Sequence, residues 1–277
     1  MPETRQPTLY LVAGPNGAGK SSLAGSLLPQ AVPAERFVNP DVIATALNPA
    51  HPDMALREAG KRALERVREF ESVRRSFALE TTLSGRWTTQ LVDRLLAAGW
   101  HVDLSFLWLP TGDAAVARVQ SRVERAGGHA IPAEVVRRRF DRGLLNLDLL
   151  RGDVTRWRLI DRRRVAGTGV IAEGEGASLI VHDAAAWDEV RRSIAAAWRR
   201  TDGDDQPQQV RESPSGFAGL AREARAEIDL AIAVADRATV LRHRSLEIPL
   251  VFCDDGRTTE VDPWTVALPG VAVLGKD

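Results

Sequence analysis

The chain has 277 residues, and 37 Lys and Arg balance 37 Asp and Glu, so no global charge draws it to nucleic acid or to an anionic membrane surface. Cys253 is the only cysteine, which excludes an internal disulfide framework and predicts a reducing, cytoplasmic setting. No stretch of about 18 uncharged apolar residues is present, and MPETRQPTLYLVAG lacks the basic-then-apolar pattern of a leader, so neither membrane insertion nor export is expected.

In chain order, TLYLVA (Thr8 to Ala13) reads as a buried parallel strand ending at glycine, with a helix from Lys20. Asp53 to Ser72 carries apolar residues at three- and four-residue spacing among charges, which predicts an amphipathic helix. SFALE (Ser76 to Glu80) reads as a second strand. Arg86 to Ala98 reads as a helix stopped by Gly99, and VDLSFLWL (Val102 to Leu109) as a strand closed by Pro110. Thr111 to Glu124 is predicted helical, capped by Thr111 or Asp113. The segment Gly127 to Pro132 breaks it, and Ala133 to Leu150 forms another helix. GVIAEG and SLIVHD read as one or two short strands before a helix over Ala184 to Arg200.

This alternation predicts an α/β fold: a mostly parallel sheet flanked by helices over residues 1–200. Residues 201–216, rich in Asp, Gln, Pro and Gly, read as a linker. Residues 217–277 read as a small α+β extension: an alanine-rich helix over Phe217 to His243, then a β-hairpin in which EIPLVF and RTTEV flank a turn near Asp255 and Gly256.

The segment Gly14-Pro15-Asn16-Gly17-Ala18-Gly19-Lys20-Ser21 matches GxxxxGK[ST] at every fixed position, between an apolar strand and a helix. Its glycines let successive backbone N–H groups point at phosphate oxygens, and the helix that follows adds its N-terminal partial charge. Lys20 reaches the β- and γ-phosphates, the Ser21 hydroxyl is a magnesium ligand, and Ser22 completes the nucleotide-binding set. ATP and Mg2+ are the expected cofactors.

The loop does not name the acceptor. FVNPD places Asp41 about twenty residues past the phosphate loop, as a candidate base for an attacking hydroxyl or as an ordinary helix cap before VIATAL. Glu80 ends SFALE in a pattern of apolar residues followed by an acid, and Thr81, Thr82 and Ser84 follow at the same edge. These residues suit magnesium and a substrate hydroxyl; a polar loop with capping hydroxyls is the plainer reading. Arginines 118, 122, 125, 137, 138, 139 and 142 lie on two helices flanking a Gly-Gly-His turn, the pattern of a closing lid, with His129 at its tip.

GPNGAGKSS, FVNPDVIA, FALETTLSGR, LSFLWLP and RVERAGGHAIPAEVVRRRF together resemble the zeta-toxin-like P-loop kinases, over roughly Leu9 to Trp198 and in a branch similar to UDP-N-acetylglucosamine kinases. The resemblance implies ATP-dependent phosphorylation of a sugar-nucleotide hydroxyl, in a protein that acts as the toxin of a toxin–antitoxin pair. It implies Lys20 as the phosphate-binding lysine, Ser21 as the Mg ligand and Asp41 as general base. It places Glu80, Thr81, Thr82, Ser84, Arg86 and His129 at the acceptor, and Arg122, Arg137 and Arg138 over the transferred charge. WRLIDRRR (Trp157 to Arg164) departs from that branch, with Asp-Arg-Arg where Asp-Asn-Ser is expected.

The partners implied are a small-molecule acceptor and an antitoxin protein, with no nucleic acid and no membrane. The extension over residues 217–277 is read either as structural or as an attached regulator over the nucleotide site. Two rival functions stand beside the kinase: a regulatory P-loop ATPase that hydrolyses ATP to control partner binding, and a nucleic-acid kinase. The second is disfavoured by neutral charge and by the lack of aromatic-basic interleaving.

Overall fold

Apolar residues on both faces of TLYLVA make β1 (Thr8–Ala13) a central strand, and Leu9, Leu11, Val12 and Ala13 are all buried. The computed structural model describes residues 6–30, 32–126, 131–163, 169–175, 178–201, 250–254 and 257–261. The chain divides into two compact units, Met1–Ser193 and Ile194–Asp277.

In the first unit β1 lies between β3 (Phe77–Thr81) and β4 (His101–Trp108), parallel to both. β2 (Phe37–Val38) extends the sheet beyond β3, and β5 (Arg156–Asp161) extends it beyond β4, again in parallel. β6 (Val170–Glu175) and β7 (Ile180–Val181) add two antiparallel strands, so the order is β2-β3-β1-β4-β5-β6-β7. The fold is α/β, a mostly parallel seven-stranded sheet flanked by helices. The C-terminal ends of the five parallel strands share one edge. There the order reverses about β1, the place where such sheets bind ligands.

The connecting helices are α1 (Lys20–Leu27), α2 (Pro40–Leu47), α3 (Leu56–Ser72), α4 (Arg86–Ala97), α5 (Gly112–Ala126), α6 (Ala133–Leu150) and α7 (Ala184–Thr201). α3 buries Ala59, Ala63, Val67 and Phe70 along one stripe, and Phe70 stacks on Phe77 of β3 at 5.4 Å between ring centroids. The start expected at Asp53 is a 3-10 turn, Pro52–Ala55, with the α-helix beginning at Leu56. Thr111 is the cap of α5, its hydroxyl accepting from the Ala114 N–H at 3.0 Å.

β5 is the element the sequence conceals. In RWRLID the arginines break the apolar run, yet the Arg158 Nε donates to Ser105 Oγ at 2.9 Å on the neighbouring strand and its guanidinium reaches the Leu27 carbonyl. Trp157 stacks on Trp187 of α7 at 6.0 Å, and a Cβ on Gly174 of the paired β6 would lie 2.4 Å from the Trp157 Nε1.

In the second unit β8 (Leu250–Asp254) and β9 (Arg257–Val261) form the expected antiparallel hairpin. Thr201, expected to open the linker over 201–216, ends α7 instead; the rest of that linker, the helix expected over 217–243 and the turn residues 255 and 256 lie outside the described residues.

Candidate functional site

The phosphate loop leaves β1 at Gly14 and enters α1 at Lys20. Gly14 and Gly17 have φ of 138° and 78°, and each is crowded as well: a Cβ on Gly14 would stand 2.5 Å from the Leu107 carbonyl oxygen, and one on Gly17 2.8 Å from the Arg118 Cβ. The loop is thus held between the end of β4 and the face of α5, and only glycine fits.

Lys20 is 8% exposed and donates to the carbonyls of Gly14 at 2.9 Å and Pro15 at 3.1 Å. These use two of the three donors of an ammonium. Burial lowers its pKa below the usual lysine value, Glu80 and Asp41 oppose that shift, and Arg122 and Arg139 reinforce it. Four charged groups from α2, β3, α5 and α6 therefore act on Lys20 of α1.

Pairing of β3 directly with β1, with Val12 opposite Glu80, brings Glu80 beside the loop. The Ser21 hydroxyl meets the Glu80 Oε1 at 3.0 Å and Oε2 at 2.9 Å, and the Asn39 side-chain amide donates to Oε2 at 2.8 Å. Burial raises the Glu80 pKa, while Lys20 and the Ser21 hydrogen bond pull it back and Asp41 adds to the rise. Asn39 also caps α2, its Oδ1 accepting from the backbone N–H of Asp41 at 2.9 Å and Val42 at 3.3 Å. The cap is therefore Asn39, and Asp41 is an exposed residue of the first turn of α2.

Beyond Glu80 the chain turns sharply. Leu83, wholly buried, has φ of 58°, a left-handed conformation that a leucine holds only when its surroundings impose it. Thr81 Oγ1 accepts from the Leu83 N–H at 3.0 Å, Thr82 and Ser84 pair through their hydroxyls at 2.8 Å, and the Asn146 amide donates to the Leu83 carbonyl at 2.7 Å. Gly143 of α6 packs so closely that a Cβ would come within 2.8 Å of the Thr82 carbonyl oxygen. Arg86 is exposed at the start of α4.

Of the lid arginines, Arg122 acts on Lys20. Arg137 instead donates to Asp113 at 2.7 Å and lies against Gly112 at the start of α5. Arg138 is exposed, and His129 lies outside the described residues. Arg139, counted among the lid arginines but not among the three expected over the transferred charge, also acts on Lys20. Its signal is helical spacing: Arg139, Gly143 and Asn146 fall on one face of α6, and the last two already touch the Thr82–Leu83 turn. Asn39 was missed because an Asn before a Pro reads as a cap, and its second bond, to Glu80, is tertiary.

Residues 9–150, about half of the chain, match the AAA domain family. The chain belongs to that family. The loop from Gly14 to Ser21 is accordingly the nucleotide-binding P-loop of an AAA domain. An uncharacterized protein of Haemophilus influenzae is 32% identical over 127 residues, which cover 46% of this chain and 88% of that protein. Among solved structures, the AvrRxo1-ORF1:-ORF2 complex with ATP is similar at 18% identity and a TM-score of 0.48, over 88% of this chain and 77% of that one. The PezAT chromosomal toxin–antitoxin system of Streptococcus pneumoniae is similar at 12% identity and a TM-score of 0.46, over 72% of this chain and 88% of that one.

Proposed function

We propose that this AAA domain is an ATP-dependent kinase that transfers the γ-phosphoryl group to a hydroxyl of a small molecule, a nucleotide sugar such as UDP-N-acetylglucosamine, and that it serves as the toxin of a toxin–antitoxin pair. The observation that carries the kinase reading is the Glu80 carboxylate bonded to Ser21 of the phosphate loop, with Asp41, Arg122 and Arg139 also acting electrostatically on Lys20. Phosphoryl transfer needs a base for the attacking hydroxyl on one side of the γ-phosphate and cations over its equatorial oxygens, and this edge supplies both.

In the proposed reaction the loop N–H groups and Lys20 hold the β- and γ-phosphates. The Asp41 carboxylate takes the proton of the acceptor hydroxyl as its oxygen bonds to the γ-phosphorus. The bond from that phosphorus to the β,γ-bridging oxygen breaks, and its electron pair leaves with ADP. Arg122 and Arg139 stabilise the charge spread over the transferring group. Ser21 and Glu80 form the hard oxygen donor set that suits Mg2+, which when bound neutralises charge between the β- and γ-phosphates. The strained Thr81–Ser84 turn, fixed by α6, forms the acceptor wall, with Arg86 beside it.

The test is ATP consumption with and without a panel of nucleotide sugars, products being examined by mass spectrometry. A phosphorylated acceptor formed in step with ADP is expected. ATP loss that ignores every acceptor and yields only free phosphate would replace the kinase with a regulatory ATPase.

A further inference from the structure

β2 ends at Val38, opposite Leu79 of β3, so the residues that follow each of them, Asn39 and Glu80, come side by side at the C-terminal edge of the sheet. Asn39 is only 2% exposed, and its amide is used at both ends. The Oδ1 accepts from the backbone N–H of Asp41 and Val42, and the Nδ2 donates to the Glu80 Oε2 at 2.8 Å. The two ends are not interchangeable. A turned amide would set N–H against N–H at the helix and oxygen against oxygen at the carboxylate.

This arrangement closes the start of α2. Pro40 has no N–H, the Asn39 side chain takes those of Asp41 and Val42, and the Asn39 main-chain carbonyl takes that of Ile43 at 3.1 Å. With these donors spent, α2 offers no first-turn amide to a phosphate, and its contribution to the edge is the Asp41 charge that acts on Lys20 and Glu80. A continuous path joins that turn to the phosphate loop. Ser21 meets Glu80 at 2.9 Å, Glu80 meets Asn39 at 2.8 Å, and Asn39 meets the Asp41 N–H at 2.9 Å. The main chain gives this corner little other support, because β2 is an edge strand of two residues.

We propose that Asn39 is the positioning residue of the site: its side chain clamps the Glu80 carboxylate to the first turn of α2, and so fixes both the face that Glu80 turns to Ser21 and Mg2+ and the place of Asp41. The part that concerns Asp41 rests on the kinase reading, in which Asp41 is the base. The part that concerns Glu80 rests only on magnesium-dependent nucleotide binding. A carboxylate on the metal side performs better when its remaining oxygen is held, and a base displaced by about 1 Å loses much of its rate.

Two variants separate the clamp from the helix cap. Asn39→Ser keeps a capping oxygen but is too short to reach Glu80, and Asn39→Asp keeps cap and length but turns an oxygen on Glu80. Both are to be compared with wild type by calorimetry of ADP in magnesium and in EDTA, by initial rates of transfer at saturating ATP, and by thermal unfolding without ligand. The gain in ADP affinity that magnesium brings should fall by about 10-fold or more, with affinity in EDTA close to that of wild type. The kcat should fall by about 10- to 100-fold while the KM of the acceptor stays within a few-fold. Simple loss of folded protein would lower the number of ADP sites and leave the ratio of the two affinities alone, and that result overturns the proposal. A wild-type ratio and a wild-type kcat in Asn39→Ser overturn it as well, since they reduce Asn39 to a helix cap. Where repulsion keeps Asn39→Asp from folding, Asn39→Ser decides by the same criteria. Wild type that forms no phosphorylated acceptor refutes the kinase reading alone, and the two ADP affinities still decide the clamp on Glu80.

Discussion

The two walls of the site are built in different ways. The donor wall, Gly14 to Ser21, is backbone held in a tight space, with glycines that touch Leu107 and Arg118 and a lysine tied to its own loop carbonyls. The wall proposed for the acceptor is made of side chains from separate elements: Asp41 on α2, Glu80 on β3, the hydroxyls of Thr82 and Ser84, and Arg139 on α6. A wall of backbone amides recognises one chemistry, phosphate, whatever the rest of the ligand. A wall of side chains is retuned by single substitutions, so under the proposed kinase function the selectivity belongs there.

The contrast is broken most directly by pairing one variant from each wall. Asp41→Ala should lower transfer by about 10²- to 10⁴-fold with ATP affinity kept, since it removes only the proton acceptor. Lys20→Ala should lose transfer and nucleotide affinity together. Parallel calorimetry and initial rates check both, and wild-type turnover in Asp41→Ala would remove that residue from the role of base.

Next in size is the division among the lid arginines. Arg139→Ala should slow transfer by about 10²- to 10³-fold, the loss typical of one preorganised charge donor. Arg137→Ala, which only breaks an exposed pair with Asp113, should stay within a few-fold and shift stability by about 0.2–1 kcal/mol. Equal losses in the two would mean that the helices rearrange during turnover.

The smallest effect is on stability against pH. The Glu80 carboxyl has its pKa raised by burial, so the folded protein holds that proton more tightly than the unfolded chain does. Its favourable contribution is full below the ordinary carboxylate value and is lost as pH rises through the raised one. Glu80→Gln should flatten this part of the decline in the ligand-free protein and weaken magnesium-dependent nucleotide binding. Urea midpoints across the mildly acid to neutral range, with and without MgADP, measure both; an unchanged slope in the variant would show that Glu80 titrates as it does in the unfolded chain.

Much of the scaffold was legible because its signals are local. β1, β3 and β4 are continuous apolar runs, α3 carries a clean stripe, and the phosphate loop has a fixed spacing. β5 was not legible, since Arg156 and Arg158 interrupt its apolar residues and find their partners on other elements: Asp103 for both, Ser105 and Leu27 for Arg158. β2, at two residues, is too short to carry a period. In the site, Lys20, Ser21, Asp41 and Glu80 announce themselves by motif or by their place at a strand end. Asn39, Arg139 and Arg162 do not, because each matters through a neighbour distant in sequence: Glu80, Lys20 and Ala18 respectively.

The sequence by itself therefore determined the alternation of strand and helix and the phosphate-binding turn, because backbone conformation and burial period are set by residues close together in the chain. Only the tertiary structure decided that Glu80 meets Ser21, that the charge of Arg139 and not that of Arg137 acts on Lys20, and that Arg162 lies on Gly19. Those relations follow from strand order and helix rotation, and electrostatic interactions between groups many tens of residues apart exist only once the sheet has assembled.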